Sequence, residues 1–183
     1  MAMTCCSKVI GFGGVSCGGK TTLSTKIKST LPSTCVTYHQ DDYYWPEEHS
    51  FWKNDGTDNW DDISAFDLEK LLKDLQEEIS QGTPYIILDG IMLYEDKRLD
   101  NLINDKYFFT LPFDLFEERR LRRNYQPPEP FPLYYKEVYW PVYQQQLVLV
   151  RKRADIEFID AAEPLDSLEK QLTIAILSPA RGF

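Results

Sequence analysis

Apolar positions along the chain fall into two rhythms, short continuous runs and longer stretches at helical spacing, and the two alternate. Val9-Ile10-Gly11-Phe12 predicts a first strand over 8–12 that runs straight into glycines, and a helical pattern follows over 21–30, stopping before Pro32. A β-rich run over 35–39 is the second strand and ends in Gln40-Asp41-Asp42. Residues 43–62 have no period and read as a surface loop. Ser64-Ala65-Phe66-Asp67 looks like a capping box ahead of Leu68, Leu71, Leu72, Leu75 and Ile79, and Gly82 closes that helix. Tyr85-Ile86-Ile87-Leu88 is the unbroken apolar run of a buried parallel strand, ending at Asp89-Gly90. A fourth strand over 106–111, a charged helix over 114–123 and a loop marked by Pro127, Pro128, Pro130 and Pro132 follow. A long helix over 134–152, a fifth strand over 156–159 and a closing helix over 165–177 complete the chain.

This alternation predicts an α/β fold with a five-stranded parallel sheet and helices on both faces. Ligands in such sheets sit beyond the carboxyl ends of the strands, so residues 13–22, Asp41-Asp42 and Asp89-Gly90 become neighbours in space.

Composition narrows the function. The 183 residues suit one domain, and 20 Lys+Arg against 29 Asp+Glu leave a net charge of −9. That balance argues against nucleic-acid and anionic-membrane partners, and no protein partner is expected. No apolar run approaches the ~18 residues of a membrane span, and no signal segment is visible, so the cytoplasm is the expected compartment. Cys5, Cys6, Cys17 and Cys35 lack zinc-ligand or CxxC spacing and are expected as reduced thiols.

Gly14-Val15-Ser16-Cys17-Gly18-Gly19-Lys20-Thr21 fits G-x-x-x-x-G-K-[ST], between a predicted strand and a predicted helix that continues with Thr22. Glycines let the backbone curl so that successive N–H groups face phosphate oxygens, and the helix dipole adds positive potential. Lys20 supplies a full charge to the β- and γ-phosphates, and the Thr21 hydroxyl can ligate Mg²⁺. The expectation is a P-loop three-layer fold over a single domain, 1–183. Arg119, Arg120, Arg122 and Arg123 crowd one helix end beside the proline-rich loop, as a small lid around 119–135 would require. The plainer alternative is a solvated helix with Glu118 paired to Arg122. Asp41 and Asp89 are candidate proton acceptors or metal partners at strand ends, and Asp42 is as readily a cap.

Beyond the P-loop, His39-Gln40-Asp41-Asp42-Tyr43-Tyr44, Asn59-Trp60-Asp61, Leu88-Asp89-Gly90, the run over 119–128 and Trp140-Pro141-Val142-Tyr143 occur in this order. Together they resemble the nicotinamide riboside kinases, relatives of the uridine kinases. The resemblance spans roughly residues 8 to 172. It implies transfer of the γ-phosphoryl of ATP to the 5′-hydroxyl of nicotinamide riboside, and of nicotinic acid riboside, in NAD biosynthesis. It makes Asp41 the proton acceptor and, with Thr21, a Mg²⁺ partner, with Lys20 and Asp89 also catalytic. Trp60 and Tyr125 would flank the nicotinamide ring, and Asp61 and Arg120 would bind the ribose hydroxyls. Arg119 and Arg123 would meet ATP, and Asp42, Tyr43, Tyr44 and Gln126 would complete an acceptor site built on a loop around 41–62. Many relatives carry Glu where Asp89 stands and Asp where Glu129 stands. The segment Asp160-Ala161-Ala162-Glu163-Pro164 lacks the glycine- and lysine-bearing pattern common there, so a loosely specified base is expected, with GTP as an alternative donor. The competing readings are a uridine/cytidine kinase and a non-catalytic nucleotide-binding protein. The guanine-reading Asn-Lys-x-Asp of GTPases is absent from the sequence.

Overall fold

Residues 7–32, 34–46, 49, 60–123 and 133–178 are described by the computed structural model. Strands β1 (Lys8–Gly14), β2 (Cys35–His39), β3 (Tyr85–Asp89), β4 (Asp105–Thr110) and β5 (Ile156–Asp160) form one sheet, all parallel, in the order β2-β3-β1-β4-β5. The helices are α1 (Lys20–Thr30), α2 (Leu68–Ser80), α3 (Lys97–Leu102), α4 (Phe113–Arg122), α5 (Trp140–Val150) and α6 (Leu165–Leu177). The α/β reading with five parallel strands is the observed architecture.

Alternation along the central strands divides the core into two layers. Val9, Ile86 and Leu88 pack with Leu71, Leu72 and Leu75 of α2 and Leu99 of α3. Ile10, Phe12 and Ile87 point the other way, onto Leu23 and Ile27 of α1 and Leu168, Leu172 and Ile176 of α6. Each fully buried side chain of this size contributes about 1.5–3 kcal/mol, so successive residues of β1 and β3 hold opposite helix layers. The chain leaves β1 for β2, returns to β3 and then crosses to β4. The strand order therefore reverses at β1, which opens a crevice at its carboxyl end.

Three local readings are revised. Ser64 does not cap α2. It belongs to a separate 3₁₀ turn, Ile63–Ala65, whose first residues are held by Asp62, while Asp67 caps α2 by accepting from the Lys70 N–H at 3.0 Å. Helix α3 was not expected. Its 6 residues bury only Leu99 and are started by Asp96, which accepts from the N–H groups of Arg98 and Leu99, too short a pattern for periodicity to register. The long helix over 134–152 is broken in character, because Tyr135–Tyr139 form a π-helical turn before α5 begins. Pro141 has no N–H for the Glu137 carbonyl. The turn widens, and the Trp140 N–H reaches back to Tyr135.

Cys35 is a buried core thiol whose pKa burial pushes up to about 11, and Cys17 sits half-buried in the P-loop. Cys5 and Cys6 lie outside the described residues. Among those residues no helix is long and apolar enough to cross a membrane.

The revised cap has a measurable consequence. Asp67→Ala should destabilise the protein by about 1 kcal/mol in urea denaturation, and Ser64→Ala by less. An equal or larger loss for Ser64→Ala would restore Ser64 as the cap.

Candidate active site

β1 ends at Gly14, whose φ of 99° suits glycine and where a Cβ would run into the Phe109 carbonyl oxygen. Val15 is buried and donates its N–H to that carbonyl at 3.0 Å, which pins the start of the loop to β4. No side chain caps α1, and the Leu23 N–H is paired with the Gly19 carbonyl at 2.9 Å. The N–H groups of Lys20, Thr21 and Thr22 precede the first helical partner, so they and the helix dipole are available to an anion. The Lys20 side chain crosses the loop, donating to the Gly14 and Val15 carbonyls at 3.0 and 2.7 Å. Burial pushes the Lys20 pKa down, while Asp41 and Asp89 pull it back up.

The loop opens into a cleft of about 560 Å³ whose wall includes Ser16, Lys20, Thr21, Asp41, Asp89 and Arg123. Asp89, 4% exposed, accepts from the Thr21 hydroxyl at 2.9 Å and the Ser24 hydroxyl at 2.8 Å, and lies 2.7 Å from His39 Nδ1. Asp41 is different. Its surface opens into the cleft, yet the surrounding walls restrict its hydration, and that desolvation pushes its pKa up; Lys20 and Arg123 oppose the rise, and Asp89 and Asp42 add to it. Asp42 lines the rim of the same cleft.

On the second side of the P-loop, Asp61 is 7% exposed, and the Tyr134 hydroxyl lies against it. Tyr44 donates to the Trp60 carbonyl at 3.0 Å, meets the Trp60 ring edge-on at 5.4 Å and stacks on Phe66 at 4.2 Å. Arg120 reaches Ser16 Oγ at 3.1 Å and lies over the Tyr139 ring, whose hydroxyl oxygen accepts from the Ser16 N–H at 2.5 Å. Arg119 donates to the Cys17 and Ala161 carbonyls at 3.2 and 3.0 Å, tying the P-loop to the turn after β5. Arg122 points outward and pairs with Glu118 at 2.7 Å, as the plainer reading had it for that residue.

The P-loop residues 14–22, Asp41, Asp42, Asp89 and Arg123 therefore come together, and Trp60, Asp61, Tyr44 and Arg120 form an adjoining group. Tyr43 is corrected: it is buried against α2, with its hydroxyl donating to Asp74 at 2.9 Å, because the 3₁₀ turn after β2 directs it into the core. Tyr125, Gln126 and residues 124–132 of the expected lid lie outside the described residues, as do 47–48 and 50–59 of the expected acceptor loop. Sequence reasoning missed His39, Ser24, Tyr134 and Tyr139. His39 ends a strand as Asp89 does, and Ser24 follows Thr21 by one helical turn, so both had a signal. The two tyrosines had none.

No protein-family model matches the chain. It is 32% identical over 179 residues to nicotinamide riboside kinase 1 of Rattus norvegicus, covering 90% of this chain and 91% of that protein. It is 30% identical over 182 residues to nicotinamide riboside kinase 2 of Mus musculus, covering 90% and 92%. A uridine kinase of Streptococcus agalactiae is 29% identical over 177 residues, covering 81% and 84%. Solved structures share the fold: a thymidylate kinase from Candida albicans (TM-score 0.61, 17% identity, 93% of this chain and 91% of that one) and a sugar kinase from Janibacter (0.59, 17%, 94% and 99%).

The raised pKa of Asp41 carries a sign. With the folded value above the unfolded one, the folded state binds the extra proton, and stability falls as pH rises from about 4 through the folded value. Asp41→Asn should therefore melt at a higher temperature than the parent at pH 7. The difference should close as the pH drops below 4 in thermal melts, and an unchanged or lower melting temperature at pH 7 would contradict the assignment.

Proposed function

The chain belongs to the nicotinamide riboside kinase family, and on that footing we propose that it phosphorylates the 5′-hydroxyl of nicotinamide riboside, and of nicotinic acid riboside, giving the mononucleotide for NAD biosynthesis. It is a nucleoside kinase, and ATP is its phosphoryl donor. The observation that carries the finer reading is the place of Asp41. This carboxylate shares one electrostatic neighbourhood with Lys20 and Asp89 and another with Tyr44, which in turn feels Asp61 and Arg120. On this reading the donor phosphate and the acceptor hydroxyl meet beside it.

Phosphoryl transfer needs positioning and charge stabilisation more than covalent chemistry. The exposed N–H groups at the start of α1 and the Lys20 ammonium hold the β- and γ-phosphates, and Arg123 adds charge from the cleft wall. Arg119 acts on the donor through the P-loop, whose Cys17 carbonyl it holds. Asp89 is occupied by Thr21, Ser24 and His39, so Asp41 is the carboxylate left to orient the 5′-hydroxyl and accept its proton. Desolvation makes Asp41 a better base than an ordinary carboxylate.

Residues present fit Mg²⁺. The Thr21 hydroxyl spends its proton on Asp89 and keeps its lone pairs, and Asp41 supplies a second hard oxygen. An ion that keeps most of its waters and rides on phosphates asks no more of the protein. Held by Thr21 and Asp41, Mg²⁺ would supply positive charge to the donor phosphates.

On the acceptor side, Asp61 and Arg120 hold the ribose hydroxyls, a charge-assisted contact. Trp60 is assigned to the pyridinium ring, an attraction of roughly 0.5–2 kcal/mol that a neutral pyrimidine lacks.

The test is product mass after incubation with Mg-ATP and nicotinamide riboside, with uridine in a parallel tube. A phosphate-sized gain that is faster on nicotinamide riboside is expected, and a gain on uridine alone would make this a pyrimidine nucleoside kinase. Lys20→Ala and Asp41→Ala should each lower kcat by about 10²–10⁴-fold with the fold retained. Trp60→Ala should raise KM for nicotinamide riboside more than for uridine, and equal losses would remove the ring contact.

A further inference from the structure

We propose that Tyr139 is a catalytic residue whose phenolic hydroxyl donates a hydrogen bond to the phosphoryl group during transfer. The inference rests on the phosphoryl-transfer reading above and on four observations. Tyr139 is 3% exposed, so its hydroxyl has almost no bulk water to satisfy it. The Ser16 N–H donates to its oxygen at 2.5 Å, and an amide can only donate, so the phenol's own proton is not used in that bond. Arg120, whose guanidinium lies over the ring, also only donates, and Asp61 acts on the phenol through its charge. Among the described residues nothing accepts the phenolic proton. Finally, Ser16 is part of the cleft wall together with Lys20 and Asp41, which sets the phenol oxygen one hydrogen bond from the phosphate end of the cleft.

A buried donor left without an acceptor costs free energy, and the fold has not relieved this one. Its ring is fixed from several sides. It stacks on Phe116 at 5.2 Å, lies parallel to Tyr143 at 6.5 Å and carries the Arg120 guanidinium at 5.5 Å. A cation over the ring draws electron density from it and strengthens the O–H as a donor. Burial also holds the phenol well above its ordinary pKa, so it stays protonated throughout the working range. In transfer, negative charge spreads over the peripheral oxygens of the moving phosphoryl group. A neutral donor already fixed beside that position stabilises the charge without rearranging. No proton changes hands with Tyr139; the proton of the acceptor hydroxyl goes to Asp41.

Tyr139→Phe removes the hydroxyl and leaves the ring contacts, so the variant keeps its packing. Expected is a fall in kcat of about 10²-fold, with KM for ATP and nucleoside within about threefold and the melting temperature nearly unchanged. A merely structural residue would move the melting temperature or KM first. If the hydroxyl only occupies the Ser16 amide, the variant binds ATP more tightly and turns over within about threefold of the parent, which overturns the proposal. A parent inactive on both nicotinamide riboside and uridine overturns the phosphoryl-transfer reading and this proposal together. An active parent with an unimpaired variant overturns this proposal alone. A second measurement does not depend on the variant's folding. With 3-fluorotyrosine at position 139, the ¹⁹F resonance should shift when ADP, fluoroaluminate and nicotinamide riboside are added together, and stay in place with ADP alone. No shift with the full set overturns the proposal.

Discussion

Asp89 carries its charge to a place nearly without water, at the end of the third strand, and side chains from two other elements gather around it. Thr21 and Ser24 come from one turn of α1, and His39 from the end of β2. An unanswered carboxylate there would cost several kcal/mol, whereas hydrogen bonds to a charged group contribute about 1.5–3 kcal/mol each. The strand ends and the first turn of α1 are thus held to one another by electrostatics rather than by apolar packing. Asp41, two residues beyond His39, inherits its position from this arrangement. Bonds to Thr21 and Ser24 keep the Asp89 carboxylate against α1, while Asp41 faces the cleft.

A second constraint works from the opposite side of the P-loop. Phe116 is fully buried on the inner face of α4, stacked against Trp140 at 4.9 Å and Tyr139 at 5.2 Å. Arg119 and Arg120 follow it by three and four residues, so they share its face and are carried inward to the P-loop, while Arg122 is turned out to Glu118. The aromatic stack therefore decides which arginines reach the loop. The π-helical turn imposed by Pro141 is part of the same device, because it sets the phase at which Tyr139 enters the stack.

Most of the scaffold was legible from the order of the residues. Continuous apolar runs marked the buried strands, glycines and Lys-Thr marked the phosphate loop, and the strand-end rule brought Asp41 and Asp89 to it. What escaped has identifiable causes. Helix α3 spends six residues to bury one leucine, which leaves no period to detect. Tyr43 and Tyr44 look equivalent in the sequence, and the 3₁₀ turn after β2 sends one into the core against α2 and the other onto Trp60 and Phe66. Tyr139 could not be placed, because a widened turn rotates everything after it by an amount that helical spacing does not encode. His39 and Ser24 were within reach of the same rules that found Asp41 and Thr21.

The grip of the P-loop carbonyls on Lys20 also bears on how fast the donor can be engaged. An ammonium on an exposed side chain must shed a tight hydration shell and be gathered from many rotamers before it can meet a phosphate. On the reading proposed for Lys20, both losses were settled when the chain folded, since two backbone oxygens already hold the group against the P-loop. An arriving phosphate has only to outcompete neutral dipoles with a full negative charge, a short exchange of partners with little reorganisation energy. On that reading the lysine would already be dehydrated when it meets a phosphate.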